Sequence, residues 1–225
     1  MSTSPNFVLI MPDQQRWDSL ACYGNGFTTT PNVDHLAASG ARFTHGFTSW
    51  PVCTPARGTM WTGVFTHIHD LEQNVYKIDD AIATLSGVKT TLFGLMKEAG
   101  YTTAHFGKWH LGEAQPTFFD HWEESFNSRF HHWVDGKPEG HYRPDLQTDA
   151  SVRWLKQHAD KSGKPFVMVQ GYYPPHDPFT APERFVAPYR RKGVPFAGYY
   201  GAVSALDDCT GRILKALEET GLREN

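Results

Sequence analysis

The 225-residue chain carries a net charge of −3, and its 40% hydrophobic and 14% aromatic residues are enough to build one sizeable core. That balance excludes the electrostatic footprint of a nucleic-acid binder, and no segment reaches the continuous apolar length of a membrane span. Three scattered cysteines, Cys22, Cys53 and Cys209, form no C-x-x-C pair, which argues against a disulfide framework and a structural zinc site. The N-terminus has no basic segment followed by a long apolar one, so a cytoplasmic location is expected.

In chain order, residues 6–11 form an apolar run stopped by Pro12-Asp13, the pattern of a strand buried on both faces that ends at a functional rim. Residues 31–40 read as a short helix closed by Gly40, and residues 41–49 alternate like a strand that delivers the chain to Cys53. A short amphipathic helix is predicted over 91–99, then a strand leading into GKWHLG. A helix over 145–161, a buried strand over 165–173, the proline-fixed loop PPHDPF and a long helix over 198–221 complete the reading. Residues 123–145 show weak periodicity and are expected to be a surface excursion, with His131 and His132 exposed. Strands alternating with helices imply an α/β fold with a mostly parallel sheet flanked by helices, and with the informative residues at strand ends.

Those strand ends carry the chemistry. In CTPARGTMWTG, Pro55 suits the first turn of a helix, so Cys53 and Thr54 sit where backbone donors and the helix dipole favour developing negative charge, with the Arg57 cation one turn on. Asp13 and Gln14 offer hard oxygen ligands of the kind that hold calcium, magnesium or manganese, although alone such a pair more often caps a turn. Lys108 and His110 are alternate residues of an extended segment and share one side of it. Their ammonium and imidazole suit charge neutralisation and proton relay. His176 lies in the rigid PPHDPF loop, while His67 and His69 follow the cysteine module and are as readily surface residues.

In their order along the chain, Asp-Gln, CTPAR, GKWHLG and PPHDPF resemble the motifs of sulfatases, from Asn6 to the end of the chain. The resemblance implies an alkaline phosphatase-like fold and a sulfuric ester hydrolase. In it, Cys53 would be oxidised to formylglycine by a formylglycine-generating enzyme, and Asp13, Gln14 and the modified Cys53 would bind a divalent metal, Ca2+ ahead of Mn2+ or Mg2+. It further implies that Arg57 holds the formylglycine, that Lys108 and His110 stabilise charge, that His176 is a candidate general acid, and that Asn74 matches an active-site asparagine of bacterial relatives. The partner implied is a small-molecule sulfate ester, with no nucleic acid and no membrane.

The chain departs from the pattern in two places: Gln14 stands where many sulfatases have a second aspartate, and Phe106 where the family has a smaller residue. Sulfatases also follow the closing helix with a further strand bearing an Asp-His or Asp-Asn metal pair and a small C-terminal domain. The 225 residues therefore read as the N-terminal portion of one catalytic domain, with weak metal binding and little activity expected from it alone. Three alternatives remain: a phosphonate monoester or phosphodiester hydrolase of the same superfamily, a non-catalytic remnant serving at most as a binding module, and a hydrolase using a Cys53 thiolate.

Overall fold

The computed structural model describes residues 4–76, 90–127, 132–134, 140–161 and 163–224, so His131 lies outside the described residues. Four parallel strands form one sheet in the order β1-β4-β2-β3: β1 (Phe7–Met11), β2 (Thr102–Lys108), β3 (His121–Phe126) and β4 (Phe166–Gly171). Seven helices are described: α1 (Pro31–Ser39), α2 (Cys53–Thr62), α3 (Thr66–His69), α4 (Leu92–Glu98), α5 (Arg143–Lys161), α6 (Glu183–Arg191) and α7 (Ala197–Glu219). The α/β expectation with a parallel sheet is met.

Period-two alternation sorts the strand side chains into two cores. Leu9 and Met11 of β1 and Val167 and Val169 of β4 face an aromatic layer of Trp61, Phe93, Trp109 and Phe119, closed by α2 and α4. Val8, Ile10, Ala104, Phe106, Phe166 and Met168 face the opposite way, onto Ala150, Trp154 and Leu155 of α5 and Ile213, Ala216 and Leu217 of α7. Phe106, the residue at odds with the sulfatase pattern, is wholly buried in this second layer.

Three readings of local structure are corrected. Residues 41–49 join no ladder among the described residues, and Phe43 and Phe47 stand 77% and 92% exposed. Alternation produces a strand only where a neighbouring edge takes up the backbone hydrogen bonds. The stretch read as an excursion begins inside β3, whose HWEESF sequence hides its nature because an edge strand exposes one side and pairs its charges there; Glu123 meets both His121 and Arg153. Helix α6 escaped notice because Pro182 precedes it and Pro188 lies inside it, yet Phe185 and Val186 pack it onto Ala202 and Ala205 of α7.

His105 is sealed in the aromatic layer, stacked on Trp122 with ring centroids 4.6 Å apart, and its Nδ1 is 2.8 Å from Ser125 Oγ. Burial, and next the nearby Arg57 cation, hold its pKa well below the ordinary histidine value. The unfolded chain takes up this proton near pH 6.5 and the folded chain refuses it, so stability falls as the pH drops below that point. Moving from pH 7 to pH 5 is expected to cost about 2 kcal/mol for such a group. Urea midpoints at the two pH values check this, and His105→Phe should show the smaller acid loss.

Candidate active site

Because all four strands run the same way, β1, β4 and β2 end on one rim, and the chain leaving each of them supplies the site. Asp13 follows β1, Lys108 ends β2 and His176 follows β4. Asp13 and Lys108 sit on opposite sides of β4, about 10 Å apart at the backbone by strand spacing, and reach each other over its last residue, Gly171. Lys108 Nζ and Asp13 Oδ2 form a buried ion pair, the two side chains 1% and 9% exposed.

Two glycines make this crossing possible. β2 bulges between Phe106 and Lys108, and Gly107 takes the left-handed φ of 87°. A Cβ on Gly107 would overlap the Gly171 carbonyl, and one on Gly171 would overlap the Lys108 carbonyl. Both obstacles are backbone, so Gly171→Ala is expected to cost at least about 2 kcal/mol in stability. Thermal denaturation of the variant tests it.

Helix α2 brings Cys53 to the pair. The thiol donates to Asp13 Oδ1 at 3.3 Å, and Lys108 Nζ lies 3.7 Å from Sγ. The same helix braces the GKWHLG segment twice: Arg57 Nη1 donates to the Lys108 carbonyl at 2.7 Å, and Thr54 Oγ1 donates to the His110 carbonyl at 2.8 Å. Residue 52, the helix cap, is valine and offers no side-chain acceptor; Asn74 Oδ1 supplies one instead, taking the Thr54 N–H at 3.0 Å. Asn74 therefore sits against the helix start, while Arg57 reaches the backbone beneath the lysine.

His110 is buried with φ 59°, and neither ring nitrogen has a hydrogen-bond partner among the described residues. Burial, and then the Lys108 and Arg57 cations, push its pKa down to about 3, so the imidazole is neutral across the physiological range. His176 stacks on Tyr173 with centroids 4.7 Å apart and holds Asp177 Oδ1 at 2.8 Å through Nδ1. Tyr173, which no sequence motif singled out, also lies under Lys108 Nζ, 4.6 Å from the ring centroid. Of the other sequence candidates, Gln14 is exposed with φ 58°, His69 is buried against Thr59 with Nε2 3.1 Å from Oγ1, and His67 is exposed.

The charges of the site are ordered by their neighbours. Burial raises the Asp13 carboxyl, but the Lys108 and Arg57 cations and the hydrogen bonds from Lys108 and Cys53 outweigh it and keep the pKa below the usual carboxylate value. Burial, with the Asp13 charge next, raises the Cys53 thiol above its ordinary value. This corrects the expectation of an activated thiolate: the helix N-terminus does not overcome the adjacent carboxylate, and Cys53 stays protonated at neutral pH.

Calcium takes about six to eight oxygen ligands, waters among them, and is held by several protein carboxylates or carbonyls together. The described residues contain no group of three or more His, Cys, Asp or Glu able to hold a metal ion, and Asp13 is already taken by Lys108. As it stands, the donor set does not fit a complete metal site.

A sequence model of the sulfatase family matches residues 5–225. The chain belongs to the sulfatase family. This sulfatase chain is 33% identical over 183 residues to the N-acetylglucosamine-6-O-sulfatase of Bacteroides thetaiotaomicron, covering 76% of itself and 31% of that protein. It is 30% identical over 262 residues to the N-acetylgalactosamine-6-sulfatase of Rattus norvegicus, covering 98% of itself and 48% of that protein. Its fold superposes on the crystal structure of Ps i-CgsB with a TM-score of 0.90 at 23% identity, over 99% of this chain and 57% of that one. The chain thus spans 31% and 48% of the length of these two curated relatives.

Proposed function

We propose that this chain carries the nucleophile half of a sulfuric ester hydrolase acting on a sulfated carbohydrate. The observation that carries the reading is the meeting of Cys53, Asp13 and Lys108 at the N-terminus of α2, with Sγ 3.3 Å from the carboxylate and 3.7 Å from the ammonium. Buried Arg57 and Lys108 outnumber Asp13, and a neutral His110 adds two unused polar atoms, so a monoanionic sulfate ester meets a cationic, partly desolvated cradle. The substrate class is supported by two of the curated relatives, which are named as 6-sulfatases of N-acetylated amino sugars.

A protonated thiol is a poor attacking group, and this supports conversion of Cys53 to formylglycine by a formylglycine-generating enzyme, which must bring a two-electron oxidant and release the sulfur, leaving an aldehyde whose hydrate supplies an oxygen nucleophile. Asp13 Oδ1, which now accepts from the thiol, is placed to take a hydroxyl proton from that position. Lys108 neutralises a sulfate oxygen, Arg57 fixes the backbone that carries Lys108, the neutral His110 imidazole can orient the leaving oxygen, and His176 is the candidate to protonate it. A divalent metal, with calcium as the first candidate, would need ligands from beyond the described residues in addition to Asp13 and Gln14, and no step is drawn through it.

The test is mass spectrometry of the tryptic peptide containing Cys53 after coexpression with a formylglycine-generating enzyme, followed by paired assays on an aryl sulfate and a phenylphosphonate ester. Aldehyde at position 53 with preference for the sulfate supports the reading. A persistent thiol, or preference for the phosphonate, overturns it.

A further inference from the structure

His132 was expected on the surface and is instead wholly buried against the loop that carries His176. Its Nδ1 lies 2.7 Å from the Thr180 carbonyl. A carbonyl only accepts, so Nδ1 carries the proton and Nε2 is left as a buried lone-pair acceptor with no partner among the described residues. The Trp133 indole N–H donates to Thr180 Oγ1 at 3.2 Å, and the His132 carbonyl accepts from Arg143 N at 2.8 Å, which ties the histidine to the start of α5.

The ring of His132 meets Tyr173 edge-on at 5.7 Å, and Tyr173 in turn stacks on His176 and lies under Lys108. One buried imidazole thus touches both ends of the loop: Tyr173 before its prolines and Thr180 after them. A loop held only by surface contacts would let the half-buried His176 ring swing into solvent, since Asp177, the side chain it pairs with, is 69% exposed.

We propose that His132 is a positioning residue, a latch whose Nδ1–H bond to Thr180 and edge contact with Tyr173 hold the His176 imidazole stacked on Tyr173, beside Lys108. The proposal rests on the reading of that site as the sulfate ester centre. The loop contacts themselves are independent of it.

The test is the rate of carbethoxylation of individual histidines by diethylpyrocarbonate at pH 7, followed by peptide mass spectrometry, with exposed His45 as internal reference. His132→Asn keeps a donor at the Nδ1 position and is expected to leave the His176 rate within about twofold of the parent, whereas His132→Leu raises it at least about fivefold and leaves His45 unchanged. His132→Gln, which is polar but cannot restore that donor, is expected to behave like the leucine variant and decides the matter should leucine prevent folding. A residue with only a general structural role would lower the melting temperature without singling out His176. An unchanged His176 rate in folded His132→Gln, or an equal rise in His132→Asn, overturns the latch. If the modification rates respond as expected but His176→Gln leaves aryl sulfate hydrolysis intact, the latch stands and the assignment of His176 to the sulfate ester site fails.

Discussion

In a chain extended to the length of its relatives, replacing Cys53 by alanine is expected to bring aryl sulfate hydrolysis down to background, a loss of at least about 10³-fold in kcat, with the fold retained. The side chain is half-buried and makes its polar contacts with Asp13 and Lys108. Removing it takes away the reacting group and leaves the Asp13–Lys108 pair to satisfy itself. Cys53→Ser is the sharper variant. It keeps an oxygen near the carboxylate but cannot become the aldehyde by the route open to cysteine, so it should bind substrate and turn it over no faster than alanine. Steady-state rates of the coexpressed, modified protein and both variants, with the melting temperature as control for folding, check the prediction. A serine variant at parental rate would show that an unmodified hydroxyl suffices.

Lys108→Met is expected to lower folding stability by about 3–5 kcal/mol, because it leaves the Asp13 carboxylate buried without its principal partner. Arg57 remains nearby and its charge already favours the ionised carboxyl, which places the expected loss toward the lower end of that range. Asp13→Asn with Lys108→Met removes both charges and should recover much of the loss. A buried pair costs more to break than to replace, since desolvation of both ions offsets most of their attraction. Guanidinium denaturation of the two single variants and the double variant gives the coupling energy directly, and additive losses would show that the pair is not coupled.

Much of the site was legible in the sequence because helix starts and strand ends have local signals. Pro55 two residues after Cys53 marks the first turn of α2, and the stop at Pro12-Asp13 marks the end of β1. These readings need only backbone sterics and hydrophobic period. Four segments failed for the opposite reason. Residues 41–49 alternate without a partner edge, β3 hides its pattern by pairing charges at an edge, α6 tolerates an internal proline because α7 packs it, and His132 lies in a stretch with no period to reveal its burial.

The sequence by itself determined the α/β class, the chain order of the motifs and the residue types available for sulfate chemistry, since each follows from local spacing and composition. Only the tertiary structure decided that Asp13 and Lys108 meet across β4 over Gly171, that Arg57 grips the Lys108 backbone, that Asn74 caps α2 from a distant segment and that burial and the Asp13 charge raise the Cys53 thiol's pKa. Those outcomes depend on strand order and burial. They set distances between residues far apart in the chain and the balance of desolvation against charge, and neither quantity has a local signature.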